Sequence, residues 1–242
     1  MKKSYGGKHR DDNPDTRLSK KLSWLLRHGA EKEGLNIGTD GFVLLQEILN
    51  RNDFNGVTFE RIKSVVDNND KKRYELQQKE HNGALQWFIR ATQGHTISSI
   101  NDEELLDKIS LDVAATLGIV VHGTYKQFWD PISKEGLKTM ARNHIHFAIG
   151  YPGDKEVISG MRKSCDIYIE IDIVKAIEDG IDFFISKNNV VLTSGINKVL
   201  PPQYFKVVKD RNGKVLFEQP KEVVEKKEDA NKEEVEEQKQ SN

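Results

Sequence analysis

Apolar residues recur at helical spacing near the start of the chain, where Leu18, Leu22, Leu25 and Leu26 share one face. Asp15 or Thr16 can cap this first helix, which is expected to end around Gly29 or Gly34. GFVLLQEIL reads as a short strand at Phe42 and Val43 followed by a helix. Thr58 caps a third helix carrying Phe59, Ile62, Val65 and Val66. RYELQ and LQWFIRA then alternate apolar and polar residues around Asn82-Gly83, a dipeptide suited to a tight hairpin turn. This order of helix, strand, two helices and hairpin is that of a winged helix.

The pattern changes near residues 96–103, where TISSINDE reads as a linker or a helix start with Asn101 or Asp102 as N-cap. Short strands then alternate with short helices. IVVHGT is an apolar strand, and YKQFWDPISKEGL is a helix that Pro131 is expected to break near Asp130. HIHFAI puts His144 and His146 on one strand face, and CDIYIEIDI aligns Ile167, Ile169, Ile171 and Ile173. FFIS, VVLT and YFKVV complete a mostly antiparallel sheet. The expected fold class is α+β, with lobes at 15–97 and 98–215 between disordered ends at 1–14 and 216–242.

Composition sharpens this division. The chain has 242 residues, 36% hydrophobic and 31% charged, with a net charge of −1. Part of the polar excess sits in residues 221–242, which carry 8 acids and 5 lysines and no aromatic residue. Such a segment cannot bury enough apolar area to offset its ordering entropy. Residues 1–100 carry a net +4, a weak bias for a protein relying on phosphate neutralisation along a duplex. One cysteine, Cys165, leaves no internal disulfide and no thiol pair for zinc. No apolar run approaches the roughly 20 residues that span a bilayer, and the N-terminus lacks the apolar stretch of a signal peptide. The expectation is a protein of the cytoplasm or nucleus, without membrane contact and monomeric.

Several polar residues stand where a plain core would not put them. Arg27 and His28 follow the apolar WLL of the first helix, where a cationic C-terminus favoured by the helix dipole is the simplest account. Lys71, Lys72 and Arg73 enter the hairpin together, and Arg90, Gln93 and His95 lie in IRATQGH. Basic groups from separated segments can converge on a phosphate, for which the planar fork of arginine is suited. His122, His144 and His146 invite a zinc reading, but no acidic or thiol ligand lies at a recognisable spacing. A histidine on a strand leading into Gly123 and Thr124 is better suited to a ribose hydroxyl, with Gly123 allowing close approach of a ligand. Neither G-x-G-x-x-G nor G-x-x-x-x-G-K-S/T is present, so Rossmann and P-loop chemistry are unsupported.

Eight segments in order then carry a specific resemblance: LSWLLRHGA (22–30), DGFV (40–43), KKRYEL (71–76), IRATQGHTI (89–97), VVHGT (120–124), GLKTMARNHIHFA (136–148), GMRKSCD (160–166) and FFISKNNVVLTSG…LPPQYF (183–205). Over about residues 16–208 the chain resembles the NAD-dependent RNA 2′-phosphotransferase family. The resemblance implies an N-terminal winged-helix lobe and a C-terminal lobe with the ADP-ribosyltransferase fold. It carries the catalytic set onto Arg27, His28, Arg73 and Arg142. Tyr74 stands where the family pattern has Phe. It places His122 against the NAD ribose, with Gly123, Thr124, Gly136, His146, Arg162 and Ser164 around the same co-substrate. Lys72, Arg90, Gln93 and His95 are candidate RNA contacts, with hairpin bracing as the alternative for the last three. No metal is implied.

The implied reaction moves the internal 2′-phosphate of spliced tRNA to NAD through an RNA-2′-phospho-ADP-ribose intermediate. It releases nicotinamide, RNA with a free 2′-OH, and ADP-ribose 1″,2″-cyclic phosphate. A phosphate monoester is mostly dianionic at neutral pH and needs positioning and charge neutralisation, not a general base. The late strand NNVVLTSG accordingly holds no carboxylate. A one-step ADP-ribosyltransferase acting on nucleic-acid phosphates, and a non-catalytic NAD-sensing binder, are the competing readings.

Overall fold

A computed structural model describes residues 13–154, 157, 159–162 and 164–220. The expectations for residues 1–12 and 221–242 lie outside the described residues. The first lobe opens on α1 (Pro14–Trp24), capped by Asn13, whose side chain accepts from the Asp15 N–H, with Pro14 at the first helical position. The cap therefore lies two residues ahead of the expected Asp15, because Pro14 needs no N–H partner there. Then follow β1 (Val43–Leu44), α2 (Leu45–Leu49), α3 (Phe59–Asp67), β2 (Tyr74–His81) and β3 (Ala84–Ala91). Thr58 caps α3 as expected. The β2–β3 hairpin turns at Asn82 and Gly83 with φ of 51° and 77°, the left-handed pair that a two-residue turn requires. The sheet order is β1-β3-β2, antiparallel throughout.

The second lobe contains α4 (Asp102–Leu105), β4 (Asp107–Lys108), α5 (Leu111–Thr116), β5 (Val120–Thr124), α6 (Lys126–Glu135), β6 (Leu137–Lys138) and β7 (Ile145–Ile149). It continues with β8 (Ile167–Ile171), α7 (Ile173–Glu178), β9 (Phe184–Ile185), β10 (Val190–Thr193), β11 (Val199–Leu200), β12 (Phe205–Asp210) and β13 (Val215–Glu218). Its main sheet runs β13-β12-β8-β5-β7-β10-β9-β4. The architecture is α+β with antiparallel pairing in every sheet described.

Two expectations are corrected here. Pro131 does not break its helix: α6 is continuous across it, with the proline on the exposed side while Trp129 and Ile132 pack against the core. The sheet also extends past residue 215, since β13 pairs with β12 through Val207–Glu218 and Val208–Phe217.

Alternation on the strands divides the core into two. Ile167, Ile169 and Ile171 of β8 pack with Phe147 and Val191 under α5, α6 and α7. Val190 and Leu192, on the opposite face of β10, pack with Phe184 into the core of the first lobe, beside Leu22, Leu25, Leu26, Ile97 and Ile100. One core thus spans both lobes and fixes the sheet face that carries His146 against the end of α1. Among the described residues no helix is long and apolar enough to cross a membrane.

Candidate active site

The chain leaves α1 through one π-helical turn, Leu25–Gly29. Leu25, Leu26 and Gly29 of that turn are buried, which leaves Arg27 and His28 on the side facing the second lobe. A strap formed by residues 92–97 runs beneath this pair. The Thr96 N–H donates to the Arg27 carbonyl at 2.9 Å, and Thr96 Oγ1 lies 3.1 Å from His28 Nδ1. Gly94, at φ +90°, packs against the Arg27 guanidinium.

Arg73 enters from the start of β2. Asn69 Oδ1 accepts from its backbone N–H at 3.1 Å and from Nη1 at 3.4 Å. The neighbouring Tyr74 is buried, and its hydroxyl reaches Ser23 Oγ at 2.6 Å and the Ser19 carbonyl, so it ties β2 to α1. The hydroxyl that departs from the family's Phe is therefore used. Arg142 stands on the turn between β6 and β7. The next residue docks that turn on the strap, with Asn143 N–H to the His95 carbonyl and Asn143 Nδ2 to the Ile97 carbonyl, both at 3.0 Å.

The electrostatics follow from this crowding. Burial pulls the Arg27 pKa down to about 10; the nearby Tyr74 opposes the shift, and Arg142 and Arg73 add to it. Burial also lowers Arg142, with Arg162 as the neighbouring cation. His28 is held below its ordinary value by burial, then by Arg27, Arg142 and Lys32. Among the described residues, none of Arg27, Arg73, Arg142 and Arg162 forms an ion pair with a carboxylate. Arg27 Nε is buried with no hydrogen-bond partner. Gathered cations without counter-charge are unfavourable in an empty protein and become favourable around an anion.

Histidines border the same place. His122 Nδ1 lies 2.9 Å from the His146 carbonyl, which can only accept, so Nδ1 carries the hydrogen and Nε2 is an acceptor. Burial keeps this ring neutral. His146 is pulled down to about 3 by burial, then by Arg142, His144, His122 and Arg27, and its Nε2 is buried without a partner. His144 is spent on Asp102 at 2.8 Å. Arg162 edges an open cleft of about 720 Å³ lined also by Tyr125, Lys126, Gln127, Phe128 and Asp166. Ser164 Oγ lies 2.8 Å from the hydroxyl of Tyr125, one of the residues lining that cleft.

Other candidates fall elsewhere. A Cβ on Gly123 would lie 2.8 Å from Cys165 Sγ and 3.0 Å from Met161 Sδ, so protein atoms, not a ligand, occupy the space this glycine leaves. Gly136 ends α6 at φ +87°, where a Cβ would strike the Leu200 carbonyl oxygen at 2.3 Å. Its lack of a side chain serves the close approach of the Leu200 carbonyl. Thr124 is buried, with its carbonyl accepting from the Asp166 N–H. Arg90 takes the bracing role: it is buried, pairs with Glu75 at 2.8 Å, donates to the Asp40 and Glu104 carbonyls, and lies over the Phe42 ring. Gln93 and His95 are buried too, so neither meets RNA at a surface. Lys72 is exposed beside Arg73, at φ 42°.

Sequence reasoning missed Thr96, Asn69, Asn143 and Asn188, which hold the arginines in place. Thr96, Asn143 and Asn188 lie inside recognised motifs, and Asn69 stands just ahead of one. Asn188 acts on a segment far away in the chain, a partner that its own motif does not reveal.

Fold and site together define a two-lobed α+β protein with a cluster of arginines at the lobe junction that pairs with no carboxylate among the described residues. Residues 13–195 match the RNA 2′-phosphotransferase, Tpt1 / KptA family, and the chain belongs to that family. A Schizosaccharomyces pombe relative is 44% identical over 87% of this chain, a stretch that makes up 56% of that longer protein. The "tRNA 2′-phosphotransferase 1" of Danio rerio is 44% identical over 82% of this chain and 87% of its own length. The "tRNA 2′-phosphotransferase" of Saccharomyces cerevisiae is 39% identical over 76% of this chain and 81% of its own.

Proposed function

We propose that this protein is an NAD-dependent tRNA 2′-phosphotransferase, with a winged-helix lobe and an ADP-ribosyltransferase-like lobe closing on the RNA 2′-phosphate. The observation that carries the reading is the convergence of Arg27, Arg73 and Arg142 with no carboxylate partner. In this reading the three guanidiniums hold the 2′-phosphate dianion, and their forks match its oxygens in pairs.

The nucleotide side rests on its own donors and acceptors. The neutral His122 offers Nε2 as an acceptor for a ribose hydroxyl, His146 Nε2 lacks any protein partner, and Arg162 edges the cleft beside Arg142. These residues fit a ribose and a pyrophosphate, so His122, His146, Arg162 and Ser164 would hold NAD. NAD supplies, when bound, an electrophilic ribose carbon and a vicinal hydroxyl that together take up the phosphate. The chain's own work is to align the phosphate and to stabilise the charge that grows on its oxygens during transfer. Each preorganised donor of that kind contributes about 10²–10³ in rate. The residues of β10 are Val190, Val191, Leu192 and Thr193, so no carboxylate on that strand serves as a base. An acceptor that is already an anion needs none.

The experiment is incubation with NAD and a short RNA bearing one internal 2′-phosphate. The expected products are 2′-OH RNA and ADP-ribose 1″,2″-cyclic phosphate, and none without NAD. RNA that gains ADP-ribose and keeps it would replace this reading with a one-step ADP-ribosyltransferase. No change at all would leave an NAD-sensing binder. Arg73→Lys and Arg142→Ala should each lose activity by about 10²-fold or more, since lysine cannot reproduce the fork.

A further inference from the structure

Thr96 Oγ1 lies 3.1 Å from His28 Nδ1, a contact that either ring tautomer can make. The Thr96 hydroxyl has two acceptors within reach, the Arg27 carbonyl at 3.5 Å and His28 Nδ1 at 3.1 Å. The first distance is too long for a good O–H···O bond, and that carbonyl already accepts the Thr96 N–H at 2.9 Å. The shorter contact favours the hydroxyl hydrogen on the side of Nδ1. A neutral imidazole that accepts at Nδ1 carries its hydrogen on Nε2. That nitrogen has no hydrogen-bond partner among the described residues, while Arg27 and Arg142 stand close to the ring.

We propose that Thr96 is a positioning residue that holds His28 as the Nε2–H tautomer, so that His28 presents a hydrogen-bond donor, not a base, to the anion bound by the arginines. The identity of that anion as an RNA 2′-phosphate rests on the function proposed above; the tautomer does not. The arrangement suits the charge of the site. Arg27, Arg142 and Lys32 already disfavour an imidazolium, and a neutral N–H donor adds to anion recognition without adding repulsion. The same backbone strap joins the Arg27 carbonyl through the Thr96 N–H and the Arg142 turn through the His95 and Ile97 carbonyls. One segment thereby sets the ring of His28 and the separation of two of the arginines.

The test reads the imidazole directly. In the full-length protein labelled with ¹⁵N-histidine, without NAD or RNA, the long-range ¹H–¹⁵N pattern reports each ring's tautomer. His28 is assigned by its disappearance in His28→Gln. The wild type should show the Nε2–H pattern at pH 7.5. Thr96→Val, which keeps the shape and loses the hydroxyl, should shift His28 toward a mixture of tautomers. Thr96→Ser should restore the Nε2–H pattern. Turnover of 2′-phosphorylated RNA should fall at least about tenfold in Thr96→Val, the loss expected for one hydrogen bond, and return to within about threefold in Thr96→Ser. An Nδ1–H pattern in the wild type, or an unchanged tautomer in a folded Thr96→Val, overturns the proposal. If Thr96→Val does not fold, the wild-type and Thr96→Ser spectra still decide it. A correct tautomer in a protein that never acts on the RNA would instead overturn the function and leave the role of Thr96 standing.

Discussion

Asn188 Nδ2 donates to the carbonyl oxygen of Lys71 across 2.8 Å, a bond between residues 117 apart in sequence. Asn188 is 1% exposed, and its own Oδ1 accepts from Ser186 Oγ at 2.8 Å, so the side chain is fixed at both ends. It hooks the sheet of the second lobe onto the segment that leads into Arg73. The position of one arginine of the cluster thus depends on a turn between β9 and β10.

Breaking this hook should cost both stability and activity. Asn188→Asp sets a carboxylate oxygen against a carbonyl and should be worse than Asn188→Ala. A buried carbonyl deprived of its donor costs about 1–3 kcal/mol. Misplacing Arg73 should lower turnover by about tenfold or more, because small errors in orientation are costly. Urea unfolding and an assay on 2′-phosphorylated RNA check the two effects. An Asn188→Asp protein as stable and active as the wild type would remove Asn188 from the account.

The unneutralised arginines imply a conflict between stability and function. Arg27→Met keeps much of the volume and the apolar contacts while removing a buried charge repelled by Arg73 and Arg142. The variant should unfold at higher urea by about 1–2 kcal/mol in anion-free buffer, while activity collapses. Added phosphate should raise the melting temperature of the wild type and leave the variant nearly unmoved. A variant less stable than the wild type in anion-free buffer would mean that the cluster is not strained.

Much of this architecture is legible in the sequence where the information is local. The period of Leu18, Leu22, Leu25 and Leu26, the Thr58 cap and the Asn82-Gly83 turn each depend on a few neighbouring residues, and each appears as expected. Arg27, His28 and Arg142 are legible through their motifs, and the fold places them together. The sequence leaves Arg90 open between RNA contact and hairpin bracing because its partners Glu75, Asp40 and Glu104 come from three separate segments. Pro131 misled because its local penalty was outweighed by the packing of Trp129 and Ile132. The partner of Asn188 was illegible, although the residue lies in a recognised motif, because that contact is set by tertiary structure alone.

Gly123 offers a direct comparison of packing with ligand approach. Its missing Cβ is replaced by Cys165 Sγ and Met161 Sδ. Gly123→Ala should therefore destabilise by about 1–3 kcal/mol through overpacking. Cys165→Ala opens space at that point, so the double variant should recover part of the loss, giving a favourable coupling in a double-mutant cycle. If Gly123→Ala is fully stable and loses only nucleotide affinity, the glycine serves a ligand after all.

Two buried histidines make an acid-sensitive fold. His95 and His146 are each pulled from an ordinary 6.5 to about 3, chiefly by burial, with arginines adding to the shift. In the unfolded chain each takes a proton near pH 6.5, while in the folded protein each stays neutral until about pH 3. Between those values the unfolded state binds more protons, so stability is fully present above about 6.5 and drains as the pH falls. Each histidine should remove up to about 2 kcal/mol between pH 7 and pH 5, at most about 1.4 kcal/mol per pH unit. The depressed carboxylates Asp40 and Asp53 work in the same direction but at lower pH, near their own ordinary range. Loss of stability already at pH 6 to 5 is thus the histidine signature. Urea unfolding at pH 7, 6 and 5 measures it, and His95→Gln should flatten the slope by about one proton. A wild type equally stable at pH 7 and pH 5 would mean that these rings take up protons in the folded state, and that the interior around Arg27 is far wetter than its packing implies.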